Sequence, residues 1–249
     1  MGLRGIMAVI LAFLLGATMC GLVVVTTAGS NHEPERVKPT RVKPAPMLYL
    51  VGDSITAGRG IAPGARPRDQ WPSRARNLLC GYRCTETRVI GHPGQCLAKP
   101  GCYYPVNLLE TFGPEVIRAR PAPSEVVVEI GVNDLAHLTD AQYQAGYRKL
   151  VAMGAARGIR VYIGTIPPTN TNWPWHAALQ DQRLRINDWI RSEWPTTHID
   201  FARRLEGADN TLQRQYDSGD GLHPNAFGAL RMADATAGKG LLRSRRDPT

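Results

Sequence analysis

The sequence predicts a three-layer α/β domain built on a parallel sheet. Three observations lead there: short apolar runs recur along the chain, segments of helical composition separate them, and the runs are continuously apolar, as strands buried on both faces require. Residues 47–51 (Met-Leu-Tyr-Leu-Val) form the first run, and Gly52 ends it. Residues 87–90 form the second. Residues 125–130 (Glu-Val-Val-Val-Glu-Ile) and 160–164 (Arg-Val-Tyr-Ile-Gly) follow, and residues 197–201 make a weaker fifth. The best helical segments are residues 140–157, 177–194 and 226–233, and Thr139 suits the N-cap of the first. Ligands of such sheets bind beyond the carboxyl ends of the strands, so the residues just after each strand are the ones to inspect.

One globular domain accounts for residues 47–236, about 190 residues, which is enough for one full core. Ahead of it, Arg4 precedes an uncharged run that reaches Asn31 and has an apolar centre over residues 6–25. Such a run engages the export machinery. It is longer than the roughly 7–15 residues of an ordinary signal-peptide core and close to the roughly 20 that span a bilayer. Residues 1–28 are therefore expected to be a signal peptide or an uncleaved signal anchor, with Thr26-Thr27-Ala28 suited to a signal peptidase. The protein is expected to be secreted or attached to the outer face of the cell membrane. Residues 29–46, where Arg-Val-Lys-Pro occurs twice, read as an extended spacer, because proline favours polyproline II. Residues 237–249 read as a basic tail.

The formal net charge is +9, but residues 1–46 carry five Lys/Arg against two Asp/Glu and residues 237–249 carry four against one, which leaves +3 for the domain. A nucleic-acid surface would put its charge on the folded body, so no nucleic-acid partner is expected. Cys20 lies inside the apolar run, and the residues ahead of it do not match a lipoprotein signal. The other four cysteines, Cys80, Cys84, Cys96 and Cys102, are an even number in a chain expected to be exported, and they read as disulfides. Of the three connectivities, Cys80 with Cys84 and Cys96 with Cys102 is the simplest. A zinc site is the alternative, but neither pair has the two-residue gap of common zinc knuckles.

After the first strand comes Gly52-Asp53-Ser54. A glycine before the serine permits a tight strand-to-helix turn that would lift Ser54 Oγ to the sheet edge, although alone this segment reads better as a turn serine capping the next helix. After the second strand, Gly91 of Gly91-His92-Pro93-Gly94 could offer its backbone N–H to the same edge. After the third, Gly131-Val132-Asn133-Asp134 places a side-chain amide there, where its NH2 could bind an oxyanion. Near the C-terminus stands Asp220-Gly221-Leu222-His223, whose spacing lets a carboxylate take the imidazole Nδ1–H and leaves Nε2 as a base towards Ser54. Each part has a bland reading as a turn or cap. Together, in this order and at these positions, they point to acyl-transfer chemistry.

With these residues the sequence resembles the SGNH hydrolases, also called GDSL esterases/lipases, over essentially all of residues 47–233. The resemblance implies a flavodoxin-like α/β/α sandwich. It implies Ser54 as nucleophile and oxyanion donor, Gly91 and Asn133 as further oxyanion donors, His223 as base and Asp220 as the group that orients His223. The family's second block usually has Asn two residues before its glycine, and here that position is Val89. Asp53 and Asp134 read as carboxylates that brace loops. No metal or other cofactor is expected.

Trp173 and Trp175, in a loop after the fourth strand, could stack on a sugar ring or merely cover the loop. Together with export and the spacer, they direct the expectation to short acyl groups, such as acetyl, on an extracellular or cell-wall carbohydrate: a small-molecule or glycan ester as substrate. Two other readings remain open: an O-acyltransferase using the same triad, and a GDSL enzyme of lipase or lysophospholipase type. A non-catalytic carbohydrate-binding domain on the same fold is disfavoured by the full residue set.

Overall fold

The computed structural model describes residues 46–61, 67–81, 86–171, 173 and 176–242. Strands β1 (Leu48–Gly52), β2 (Thr87–Gly91), β3 (Glu125–Glu129), β4 (Arg160–Gly164) and β5 (His198–Ile199) make one sheet in the order β2-β1-β3-β4-β5. Every pair is parallel. That order is the flavodoxin-like one, in which the winding reverses between β1 and β3. Gly52 stands level with Gly91 on one side and Glu129 on the other, so the carboxyl ends of the three strands finish together. Strands β1 and β3 are wholly buried, which is why they read as unbroken apolar runs.

The helices are α1 (Trp71–Cys80), α2 (Leu108–Phe112), α3 (Asp140–Ala155), α4 (His176–Glu193), α5 (Phe201–Leu205) and α6 (Ala226–Ala237). They pack in two groups, α1 with α6 and α5, and α3 with α2 and α4. The groups lie on opposite faces, since side chains alternate along a strand. In β4, Val161 meets Gly154 of α3, whereas Gly164, three residues along, meets Phe201 of α5. A Cβ at Gly164 would lie 2.5 Å from the Phe201 ring, so the close approach of α5 requires glycine there. Thr139 caps α3 with a reciprocal pair, its Oγ1 accepting from Gln142 N and Gln142 Oε1 accepting from Thr139 N.

Some bounds differ from the sequence expectation. The fifth strand shrinks to two residues because Asp200 turns away to cap α5 and bind Arg191. At the other end, α6 runs on to Ala237, and Leu241 and Leu242 are buried, with Leu242 N–H donating to Glu125 Oε2 at 2.9 Å. Packed residues therefore extend into the segment expected as a tail. Cys96 and Cys102 form the disulfide expected of them, and the other expected pair includes Cys84, which lies outside the described residues. Residues 1–45, with the expected leader and nearly all of the spacer, also lie outside. Among the described residues, no helix is long and apolar enough to cross a membrane.

Candidate active site

Gly52 must be glycine, because a Cβ there would collide with the Glu129 carbonyl oxygen and Thr56 Oγ1. The chain then turns tightly: Asp53 Oδ1 accepts Ile55 N–H at 2.9 Å, and Arg59 N–H donates to the Ser54 carbonyl at 2.9 Å. Ser54 sits at the head of this turn, at the carboxyl end of β1 beside the reversal of the sheet. Its Oγ is 2.9 Å from His223 Nε2. His223 Nδ1 is 2.6 Å from Asp220 Oδ2, and Asp220 Oδ1 accepts the backbone N–H of Leu222 and of His223, at 2.9 and 2.8 Å. With Nδ1–H donating to the carboxylate, Nε2 is left as acceptor for the Ser54 hydroxyl. Partial burial pushes Asp220 up, but the N–H of His223, its ring and the N–H of Leu222 outweigh that and hold the carboxyl below its ordinary range.

The loop that presents His223 is stitched to its surroundings. Asp217 Oδ1 accepts from Gly219 and Gly221 N–H, the Gly221 carbonyl accepts from Asn170 N–H at 2.7 Å, and Asn225 caps α6.

Asn133 stands in a 3-10 turn, Val132–Asp134, that follows β3 through Gly131. Gly131 has φ +125°, and a Cβ there would be 2.6 Å from Tyr147 Oη. Tyr143 and Tyr147 of α3 donate to the carbonyls of Gly131 and Ile130, both at 2.7 Å, and fix the turn from behind. The Asn133 amide donates to Asp53 Oδ2 at 3.2 Å and to the Gln95 carbonyl at 2.9 Å. Asp134 accepts three backbone N–H groups, from Leu97, Ala98 and Lys99, and so ties the disulfide-closed segment to the same turn. Both carboxylates that the sequence marks as braces thus brace the loops that carry Ser54 and Asn133.

Beneath these loops lies a buried acidic layer. Glu129, 1 % exposed, accepts from Thr56 Oγ1 at 2.8 Å, and its carboxyl is pushed up to about 7 by burial, against the lowering effect of Thr56. Burial and then the neighbouring Glu129 hold Asp53 well above the usual carboxylate range. Burial likewise raises Asp134 to about 6, with the three N–H bonds opposing it. The sequence shows Glu129 only as a polar residue near the end of an apolar strand, and nothing there marks it as buried.

Ser54, Asn133 and His223 line one cleft of about 350 Å³, together with Arg59, Pro93, Gly94, Tyr103 and Leu222. Gly91 is not among its described lining residues: it ends β2, and a Cβ there would be 2.5 Å from Ala57 N. Gly94, three residues on and at φ +79°, takes that place on the wall. The N–H groups of Ser54 and Gly94 have no acceptor among the described residues. Trp173 is half-buried and lines a neighbouring cavity of about 340 Å³ that shares Asn133 with the cleft, along with Leu135 and Leu179. Trp175 lies outside the described residues. The aromatic residue in the cleft is Tyr103, 87 % exposed, which follows the disulfide and packs on Gly94. Among the described residues, no group of three or more His, Cys, Asp or Glu is arranged to hold a metal ion.

Comparison with known proteins bears on this arrangement. No curated protein matches the chain. Its fold is similar to that of a GDSL-like lipase from Bacteroides thetaiotaomicron, at 20 % identity and a TM-score of 0.56, covering 76 % of this chain and 84 % of that one. It is similar to a carbohydrate acetylesterase family member from Sinorhizobium meliloti, at 18 % identity and a TM-score of 0.56, covering 76 % and 94 %. It is also similar to an aryl esterase from M. smegmatis, at 17 % identity and a TM-score of 0.58, covering 78 % and 97 %. The model of the GDSL-like lipase/acylhydrolase family matches residues 50–231, most of the chain and every residue of the cleft. The chain therefore belongs to the GDSL-like lipase/acylhydrolase family and is a carboxylic ester hydrolase.

Proposed function

We propose that Ser54, His223 and Asp220 act as a catalytic triad that hydrolyses short acyl esters, acetyl above all, on extracellular or cell-wall carbohydrate. The observation that carries this reading is the chain of contacts from Ser54 Oγ to His223 Nε2, 2.9 Å, and from His223 Nδ1 to Asp220, 2.6 Å. Ser54 Oγ attacks the ester carbonyl as His223 Nε2 takes its proton, and Asp220 stabilises the imidazolium. The tetrahedral oxyanion is held by the N–H groups of Ser54 and Gly94 and by the Asn133 amide. Gly94 replaces Gly91 in this assignment because it lines the cleft. His223 then protonates the leaving alcohol, and water repeats the sequence on the acyl-enzyme.

A cleft of about 350 Å³ stands at the low end of the roughly 300–1,000 Å³ of small-molecule sites, which favours a small ester over a long acyl chain. Tyr103 offers an exposed ring on which a sugar could stack, the part that Trp173 and Trp175 were expected to play. The acetylesterase named above lends the carbohydrate reading support by likeness of fold. The apolar N-terminal run and the Cys96–Cys102 disulfide favour a place outside the cytoplasm, with the protein secreted or held at the membrane.

The test compares wild type with Ser54→Ala on nitrophenyl esters of increasing chain length and on acetylated oligosaccharides, with a free sugar present as competing acceptor. Hydrolysis of acetyl esters that Ser54→Ala abolishes is the expected result. Activity retained by Ser54→Ala overturns the triad, a rate rising with chain length overturns the short-acyl reading, and acetyl transfer to the sugar in place of water overturns hydrolysis.

A further inference from the structure

We propose that Arg59 is a specificity-determining residue that binds an anionic group, carboxylate or phosphate, on the alcohol half of the ester. The inference rests on the esterase reading above and adds to it the charge of the substrate. Among the described residues that line the cleft, Arg59 alone carries a permanent charge. It is exposed, and its guanidinium has no ion-pair or hydrogen-bond partner among the described residues. The acidic groups around it are otherwise engaged. Asp220 is held by His223 and two backbone N–H groups, and Asp53 is buried beneath the turn.

Position decides which half of the substrate Arg59 meets. Its N–H donates to the Ser54 carbonyl, which sets it one turn beyond the nucleophile. The next residue, Gly60, has φ +88°, and a Cβ there would be 2.6 Å from His223 Cβ. The Arg59-Gly60 peptide therefore lies against His223, the group that returns a proton to the leaving oxygen. A group on that flank faces the departing alcohol. A guanidinium presents its N–H donors in a planar fork that matches the two oxygens of a carboxylate or phosphate. A neutral sugar leaves that fork to water.

The test measures kcat/KM of the full chain on acetylated methyl glucoside, acetylated methyl glucuronoside and acetylated glucose 6-phosphate, with nitrophenyl acetate as the reporter of esterase chemistry. A charge-assisted contact of this kind is expected to favour one or both anionic esters over the glucoside by about 10- to 100-fold. The two anionic arms separate carboxylate from phosphate. Arg59→Gln brings the preference close to one, Arg59→Lys keeps part of it, and added salt shrinks it in wild type. Hydrolysis of nitrophenyl acetate with no preference for either anionic sugar, or a preference that survives Arg59→Gln, overturns the assignment of Arg59 and leaves the esterase reading standing. No hydrolysis of any of the four esters overturns the esterase reading itself.

Discussion

Replacing Glu129 by glutamine should flatten the dependence of stability on pH. Glu129 lies at the end of β3, with Thr56 Oγ1 donating to Oε2 and no hydrogen-bond partner for Oε1 among the described residues. Burial raises its carboxyl from the ordinary 4.5 to about 7. Below pH 4.5 the group is neutral whether the chain is folded or not, and its burial carries no charge penalty. Between 4.5 and about 7 the unfolded chain releases the proton while the folded one keeps it, so stability falls as pH rises through that window and levels off above it. The gap corresponds to about 3 kcal/mol as an upper bound. Asp53 and Asp134 are raised in the same direction and add to the fall. Glutamine stays neutral throughout and can still accept from Thr56. Urea unfolding followed by tryptophan fluorescence at pH 5, 6, 7 and 8 is the assay. Wild type should lose stability across the series, and Glu129→Gln should lose less by about 2–3 kcal/mol. Parallel losses in the two proteins, or stability that rises with pH in wild type, would refute the reasoning.

Asn133→Ala removes the proposed oxyanion donor and should lower kcat on nitrophenyl acetate by about 10²- to 10³-fold with KM little changed; an unchanged kcat removes Asn133 from the mechanism. Gly60→Ala puts a methyl group 2.6 Å from His223 Cβ on a backbone at φ +88°. It should displace the imidazole and cut kcat by about 10-fold or more on every ester, measured by the same assay; full activity would show that the loop yields without moving His223.

The parts of the fold legible in the sequence are those where local pattern and burial agree. Strands β1 and β3 are covered on both faces, so they appear as unbroken apolar runs, and Thr139 announces the start of α3 by its capping chemistry. Helix α1 does not stand out in the sequence because it opens on Trp71-Pro72 and buries only Trp71, Pro72 and Ala75, a stripe too narrow against its polar residues. In the candidate site, the sequence marks Ser54, Asn133, Asp220 and His223 because each follows a strand or precedes a helix in a recognisable order, and the fold brings them together. Gly94 carries no such signal, since it shares one turn with Gly91, the glycine the sequence points to, and only the structure shows Gly94 lining the cleft. Tyr103 and Arg59 were likewise hidden, because their presence in the cleft comes from the path of loops rather than from any spacing.

The amide of Asn133 carries a consequence of its own. Both of its hydrogens are already donated, one to Asp53 and one to the Gln95 carbonyl, so in the proposed mechanism donating to an oxyanion is an exchange of acceptors and not the filling of a vacant hole. A neutral ester carbonyl is no better an acceptor than the Gln95 carbonyl it would displace, and docking it gains little. An alkoxide is a much stronger acceptor and wins the exchange. The resting bonds thus act as a threshold that only developed negative charge can cross. In the proposed mechanism Asn133 would therefore discriminate the tetrahedral intermediate from the bound ester, and its binding energy would appear in the rate rather than in affinity for substrate.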